Sequence, residues 1–182
     1  KMGLASFNSA RKFFGVPDGA YLFTDKIVDY KFEQDISSDR ASHLLMYHDF
    51  GSQAGYATFK YNEEQLCNKE IKLMSKLTES IMSGIDYINV AKTRRSNFFI
   101  LHKLLCEINE WHGEVLEADV PMVYPLIYRI DKLKEKLIEK NIFIATYWKG
   151  QLDLEIGKYF EHNLLPIPID QRYNSSDMKY IA

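Results

Sequence analysis

The sequence predicts an α/β fold of the two-layer α+β kind, and three observations support this class. Two short stretches rich in β-forming residues lie near the start, on either side of a Pro-Asp-Gly turn. Long stretches with apolar residues at three- and four-residue steps follow in the middle of the chain. After Gly113, strand-like and helix-like stretches alternate, which is typical of a sheet packed against helices.

Composition narrows the range of functions. The 182 residues, 46% of them hydrophobic and 26% charged, match an ordinary soluble globular protein. A net charge of −2 gives no electrostatic reason to expect a nucleic acid or an anionic membrane as partner. The sequence has neither an apolar run of about 20 residues nor a signal-peptide pattern. We therefore expect a cytoplasmic protein without a membrane partner.

The cysteines and the first residues carry two further expectations. Cys67 and Cys106 lack the spacing of a metal or redox site, so we expect both to be small buried side chains in a reducing compartment. The chain opens with Lys1-Met2 rather than with Met. This opening indicates a piece of a longer protein.

The start of the chain predicts two strands joined by a connector that carries a lysine. The stretches at residues 2–8 and 19–24 have strand character. Between them, Pro17 restricts φ and Asp18 can accept a hydrogen bond from the backbone just after it. Gly19 tolerates positive φ, so the three residues together predict a turn.

The middle of the chain predicts helices. Region 39–66 has a polar amphipathic pattern that breaks at residues 49–55. Residues 71–85 predict one helix with an apolar stripe made of Ile71, Met74, Leu77, Ile81 and Ile85. A longer helix follows Asp86, with polar residues of the sequence Lys-Thr-Arg-Arg on the side opposite its apolar residues. The domain boundary is expected among these helices, between residues 60 and 86.

The last third of the chain begins with a strand and a helix. Residues 120–128 predict a strand whose two prolines indicate an edge or an interrupted ladder. Residues 131–141 predict a polar amphipathic helix with Asp131 as its N-cap. Leu133 and Leu137 are expected to face inward from this helix.

Three more elements complete the predicted order. Residues 142–148 have the clearest strand pattern in the chain. A helix over residues 152–163 and an extended segment over residues 164–170 follow. A last helix is expected from Ser175 onward, with a serine as its cap.

Ser9 and Lys12 form an S-x-x-K pattern inside the predicted connector. A lysine amine becomes a nucleophile where burial or a neighbouring positive charge lowers its pKa, and Arg11 is adjacent in sequence. Such a lysine can form a Schiff base, with the Ser9 hydroxyl holding an anion beside it. Serine acyl-enzymes share the pattern but also need a K-T-G element, which this sequence lacks. On spacing alone, a solvated lysine without a chemical role stays open.

Residues 9–23, SARKFFGVPDGAYLF, resemble the lysine-bearing segment of pyridoxal-phosphate (PLP) aminotransferases of fold type I, and of the DegT/DnrJ/StrS nucleotide-sugar group in particular. In that family a strand, a serine, the Schiff-base lysine and an acidic-Gly turn follow one another in this order. Four later stretches resemble the C-terminal part of the same family: residues 94–105, 120–128, 133–148 and 164–181. The resemblance covers nearly the whole chain.

The resemblance implies a PLP-dependent transferase fold and its chemistry. Residues 1–60 would be a remnant of the large PLP-binding domain, and residues 61–182 the small C-terminal α/β domain. Pyridoxal 5′-phosphate would be the cofactor, with Lys12 as Schiff-base lysine and proton shuttle and with Ser9 as a contact of the cofactor phosphate. An amino group would pass from an amino acid donor such as glutamate to a keto sugar nucleotide, in a homodimer. The family's other cofactor ligands lie upstream of the lysine, so we expect no transamination from these 182 residues alone.

The sequence offers two candidate substrate-binding residues and one competing hypothesis. Arg172 could recognise an anionic substrate group or instead form a structural salt bridge with Asp170 or Asp177. Tyr147 lies near the end of a predicted strand, where pockets often form, although core or interface packing explains it equally well. The family's G-x-N-x-R-M loop is missing after the lysine turn. Its absence favours a second hypothesis, a non-catalytic interaction module with a degenerate aminotransferase small-domain fold.

Two other groups of polar residues have simpler interpretations. Residues 94–97, Arg-Arg-Ser-Asn, could bind a phosphate or carboxylate, but a solvated helix face is favoured. His43 and His48 lie five residues apart, a poor spacing for two ligands on one helix face, so no metal site is expected.

Overall fold

The computed structural model describes residues 3–51, 53–147, 150 and 154–182. The chain divides into two compact units, Lys1–Ile85 and Asp86–Ala182. This division falls after Ile85, at the end of the range of residues 60–86 in which the boundary was expected. Both units mix helices with a two-stranded antiparallel sheet, which agrees with the predicted α+β class.

The first unit combines a β-hairpin with helices. Strands β1 (Ala5–Ser9) and β2 (Ala20–Thr24) pair antiparallel. The described helices are α1 (Ser42–Phe50), α2 (Tyr56–Glu64) and α3 (Lys76–Ser83), with short 3₁₀ turns at Ala10–Lys12 and Ser38–Arg40. The predicted pair of strands with a lysine-bearing connector is therefore confirmed, as is the break between the first two helices.

The predicted helix over residues 71–85 starts too early. The backbone of Leu73 is extended, because its N–H donates to Glu33 O at 2.8 Å and its carbonyl accepts from Asp35 N at 3.0 Å. Helix α3 then begins after Ser75, whose hydroxyl accepts a hydrogen bond from Thr78 N at 3.2 Å. The apolar spacing alone could not locate this start, since a serine N-cap and a long-range bridge decide it.

The second unit packs helices against one small sheet. Its described elements are α4 (Tyr87–Leu105), β3 (Val123–Ile127), α5 (Leu133–Glu139), α6 (Glu155–Asn163), β4 (Leu164–Pro168) and α7 (Ser175–Ile181). Helix α4 lies against α7 and β3. The core contains Phe98, Leu101 and Leu105 of α4, Tyr124 and Leu126 of β3, Leu165 and Ile167 of β4, and Met178 of α7. Burial of these side chains supplies most of the driving force for folding this unit.

Two prolines limit the hydrogen bonding between β3 and β4. Pro125 of β3 lies opposite Pro166 of β4, where neither residue can donate to the ladder. On the side of β3 that faces away from β4, the backbone groups bond to the side chain of Asn109. Its Nδ2 donates to Pro125 O at 2.9 Å, and its Oδ1 accepts from Ile127 N at 2.9 Å. A side-chain amide thus replaces a neighbouring strand, and the prediction of an edge strand is confirmed.

The strand predicted for residues 142–148 is wrong over its described part. Residues 142–147 adopt neither strand nor helix, and Trp148 lies outside the described residues. Ile142 and Ile144 are buried in the core while Phe143 is exposed, so the alternating pattern is correct. The segment has the burial of a strand but belongs to no ladder, since the described sheet of this unit contains β3 and β4 only.

Two predicted helix caps are also wrong. Helix α5 begins after Lys132, which has a left-handed backbone with φ of +59°, and not after an Asp131 cap. Leu133 and Leu137 do pack against the core as predicted. Helix α7 is capped by Asn174 in a capping box with Asp177, not by a serine. An amide oxygen accepts backbone N–H groups as well as a hydroxyl does, so the sequence alone did not decide between an asparagine and a serine as the cap of α7.

The two cysteines and the possibility of a membrane-spanning helix were also addressed by the sequence. Cys67 and Cys106 are both exposed free thiols, so the prediction that they are buried is wrong. Each lies in the turn that follows a helix. A bilayer-spanning helix, which needs both length and apolar character, does not occur in the described part of the chain.

Candidate functional site

The connector between β1 and β2 (residues 10–19) is a closed loop. Ala10 N donates to Gly19 O at 3.1 Å and joins the two ends. Inside the loop, the 3₁₀ turn is held by hydrogen bonds from Phe13 N and Phe14 N to Ala10 O, at 3.0 and 2.9 Å. Val16 and Ala10 are buried in a small apolar cluster with Met82 of α3. The connector is therefore ordered by contacts at its ends and along its inner side.

Lys12 and Ser9 both lie at the start of this connector. Lys12 is the last residue of the 3₁₀ turn, and its side chain is exposed. Ser9 ends β1 half-buried, and its hydroxyl makes no capping hydrogen bond to the turn. The structure therefore brings the two predicted residues to one end of the loop, with the amine of Lys12 accessible to a ligand from solvent.

Arg11 does not point freely into solvent. It forms an ion pair with Glu63 of α2 and is half-buried. Burial lowers the pKa of Arg11, while the charge of Asp18 opposes this and that of Arg40 adds to it. Because a carboxylate compensates its charge, Arg11 holds the connector against α2, and its positive charge is not freely available to a ligand.

Asp18 binds the start of helix α3. Its carboxylate accepts from Ser75 N at 2.7 Å and from Ser75 Oγ at 2.9 Å, and also from Thr78 Oγ1. Ser75 Oγ in turn contacts Ser37 Oγ at 2.6 Å. All four side chains are buried. The partner of Asp18 is thus a helix 57 residues further along the chain, and not the adjacent backbone that the turn pattern predicted.

The polar residues of α1 and α2 form a second contact of the first unit. Asn62 Nδ2 donates to Arg40 O at 3.1 Å and lies 2.9 Å from His43 Nδ1. Burial lowers the pKa of His43, partly opposed by its hydrogen bond to the Arg40 backbone. Among the described residues, no group of three or more His, Cys, Asp or Glu side chains could hold a metal ion.

The two substrate-binding candidates lie in the second unit. Arg172 donates from Nε and Nη2 to the two carboxylate oxygens of Asp170, at 2.8 and 2.9 Å. Its side chain nevertheless keeps 73% of its surface accessible. Tyr147 is half-buried, and burial raises the pKa of its hydroxyl. Arg172 therefore makes the structural salt bridge that sequence had left open, while its guanidinium remains reachable.

The Arg172 pair predicts an acid-sensitive contact in the second unit. Burial alone would raise the pKa of Asp170, but the Arg172 hydrogen bonds and charge hold it below its ordinary value of 3.8. A carboxylate with a depressed pKa stabilises the fold above its unfolded value and loses this effect as pH falls through the folded value. We expect unfolding free energy to drop below about pH 4, and less steeply in Asp170→Asn. Urea unfolding of both proteins from pH 6 to pH 2 measures this, and equal slopes would contradict it.

Two of the four residues in the Arg-Arg-Ser-Asn sequence of α4, Arg94 and Asn97, are buried, while Ser96 is exposed. Arg94 is buried, with Nε donating to Gln171 Oε1 at 3.0 Å and Nη1 to Met122 O at 3.1 Å. Asn97 is also buried, and its Nδ2 lies 3.1 to 3.3 Å from the carbonyl oxygens of Ile169, Asp170 and Tyr173. Both side chains tie the loops around β3 and β4 to α4, so the anion-site and solvated-face interpretations are wrong for them.

Sequence reasoning missed the buried hydroxyl groups behind the connector. Ser75 comes directly before an amphipathic stretch, and a serine in that position is a recognisable N-cap signature. That signature could have located the helix start. Nothing local in the sequence indicates that Asp18 reaches the same cap.

No protein-family model, curated protein or solved structure matches the chain. The resemblance to PLP-dependent aminotransferases therefore rests on the motifs of the chain itself.

Proposed function

We propose that the chain is part of a PLP-dependent aminotransferase in which Lys12 is the lysine that binds the cofactor. The observation that carries this proposal is the connector itself. An exposed lysine lies on a closed loop between two antiparallel strands, with Ser9 before it and the Asp18-Gly19 turn after it. This order of elements is the one that the aminotransferase resemblance implies.

The residues of the connector could hold part of pyridoxal phosphate. Lys12 would hold the cofactor through its amine, and its Nζ, once free of the cofactor, would move the proton at the substrate Cα. Ser9 supplies a hydroxyl that can donate to the cofactor phosphate. When bound, pyridoxal phosphate supplies the electron-withdrawing ring that stabilises negative charge at Cα. The partner of the pyridine nitrogen would come from sequence outside these 182 residues.

The hairpin supports the idea of a larger cofactor-binding sheet. Phe7 and Leu22 lie opposite each other on one face, with 79% and 60% of their surfaces exposed. Tyr21 and Phe23 lie on the other face and are also exposed. Apolar residues on both faces are typical of strands covered by helices on both sides. A two-stranded hairpin is marginal by itself, so this one fits as part of a larger domain.

The reaction proposed for the whole enzyme is amino-group transfer from an amino acid such as glutamate to a keto sugar nucleotide. We assign Arg172 to an anionic substrate group, because its guanidinium is exposed although it is paired with Asp170. Tyr147 would contribute its ring and hydroxyl to substrate binding. A homodimer is part of the proposal, since enzymes of this family build the active site between subunits.

The exposed apolar hairpin also favours the second hypothesis, a non-catalytic interaction module. A large exposed apolar surface commonly marks a protein interface. The two hypotheses differ in what they require of Lys12, since only the enzyme needs this amine to react with an aldehyde.

A cofactor titration of the full-length protein tests the proposal. We expect pyridoxal phosphate to give a visible absorption band that L-glutamate abolishes, with release of the corresponding keto acid. Lys12→Met should remove the band completely, because its thioether cannot condense with the aldehyde. The matched control Lys26→Met, which changes an exposed lysine just after β2, should retain it. A band of equal intensity in Lys12→Met, or none in the wild type, would contradict the proposal.

A further inference from the structure

We propose that Asp18 is the positioning residue that holds the Lys12 connector on helix α3. This inference rests on the proposed function of Lys12 and adds to it the group that fixes the lysine in place. Asp18 is buried and is not proposed to touch cofactor or substrate. It acts through the connector.

The contacts of Asp18 join two segments that the chain separates widely. One carboxylate oxygen accepts the Ser75 backbone N–H at 2.7 Å, and the other accepts the Ser75 hydroxyl at 2.9 Å. Thr78 adds a third donor. Asp18 has only 5% of its surface exposed, so water cannot readily replace these donors. A buried carboxylate is tolerated because it is fully hydrogen-bonded and lies at the positive end of a helix.

The carboxylate of Asp18 completes the cap of α3 from a distant part of the chain. Ser75 Oγ accepts from Thr78 N at 3.2 Å, as an N-cap side chain does. Asp18 accepts from the backbone N–H of Ser75 itself, the group that a Glu or Gln of the first turn binds in a capping box. Because this acceptor comes from the connector, the cap also holds the Pro17-Asp18-Gly19 turn on the helix.

Fixing this turn also fixes Lys12. Gly19 accepts from Ala10 N, so the residue that opens the 3₁₀ turn is bound directly to the residue that follows Asp18. Lys12 is the third residue of that turn. A nucleophile that is misplaced by about 1 Å can lose on the order of a hundredfold in rate. A rigid loop on a helix is thus the kind of support that a reactive lysine requires.

The test measures the reactivity of Lys12 in the full-length protein with Asp18→Ala, Asp18→Asn and the control Asp29→Ala. Asp29 is exposed and lies outside the connector. Each protein is incubated with pyridoxal phosphate and borohydride, and adducts are quantified at Lys12 relative to Lys26. We expect Asp18→Ala to reduce the relative trapping rate by about ten- to a hundredfold. Asp18→Asn should be intermediate, because its amide oxygen still accepts from Ser75 N.

Hydrogen exchange of residues 10–19, measured without cofactor, provides the second readout. We expect the Ala10 amide to exchange faster in Asp18→Ala than in the wild type. The increase should be smaller in Asp18→Asn, and Asp29→Ala should exchange at the wild-type rate. Unchanged exchange would overturn the inference, and so would faster exchange with undiminished trapping at Lys12, since Asp18 would then be merely structural. Should Asp18→Ala not fold, Asp18→Asn gives the same comparison. Absence of trapping at Lys12 in the wild type would instead overturn the proposed function and this inference with it.

Discussion

Arg94→Leu is expected to lower the free energy of unfolding of the second unit by about 3 to 5 kcal/mol. Arg94 has 2% of its surface exposed, and its guanidinium donates to Gln171, Pro121 and Met122. Leucine fills much of the stem volume but donates nothing, so buried acceptors lose their partners. Burial lowers the pKa of Arg94 and the charge of Asp170 raises it, which places a carboxylate near the deleted charge.

Lys92→Leu is the matched control for this substitution. Lys92 lies on the same helix but is exposed, so its replacement should change stability by less than about 0.5 kcal/mol. Urea unfolding followed by circular dichroism measures both variants. Similar, small effects for the two substitutions would contradict the assigned role of Arg94 in holding the loops around β3.

Gly19→Ala is expected to destabilise the first unit by about 2 to 3 kcal/mol and to disturb the lysine connector. Gly19 has a φ of +99°, a conformation that alanine adopts only with strain. An added Cβ would also lie 2.7 Å from Met74 Cε, 3.0 Å from Met74 Cγ and 3.2 Å from Thr78 Cγ2. The Met74 tip can move away, but its Cγ and the buried Thr78 have less freedom.

Gly51→Ala separates backbone strain from crowding. Gly51 has a φ of +83°, yet a Cβ there would meet nothing within 4 Å. We expect this variant to cost about 1 to 2 kcal/mol from the backbone alone, because a φ of +83° with a ψ of 172° is a conformation that few residues other than glycine adopt. Thermal unfolding of both variants gives the comparison. If Gly51→Ala is as destabilising as Gly19→Ala, close packing at Met74 and Thr78 has no part in the effect.

Local patterns predicted the elements that local interactions determine. The hairpin with its Pro17-Asp18-Gly19 turn is one example, because turn chemistry and β-forming residues are adjacent in sequence. The burial of Ile142 and Ile144 is another, since period-two alternation reports which side chains face a core. The strand itself did not form, because a ladder needs a partner strand, and the alternation within one segment does not specify that partner. Here β3 and β4 pair with each other.

The parts of the site that sequence could not predict depend on distant partners. Asp18 meets Ser75 and Thr78, 57 and 60 residues away, and no short-range pattern encodes such a contact. Arg94 lies in a run of polar residues that is typical of a solvated face. It is buried because carbonyl groups of a loop from residues 121–122 meet it there.

We propose that only Lys12 binds the cofactor aldehyde, and a peptide map of the full-length protein after treatment with pyridoxal phosphate and borohydride measures this. We expect one dominant reduced adduct, on Lys12, at close to one equivalent per chain. Adducts spread over exposed lysines such as Lys26, with no excess at Lys12, would overturn the proposed role of Lys12 and favour an interaction module.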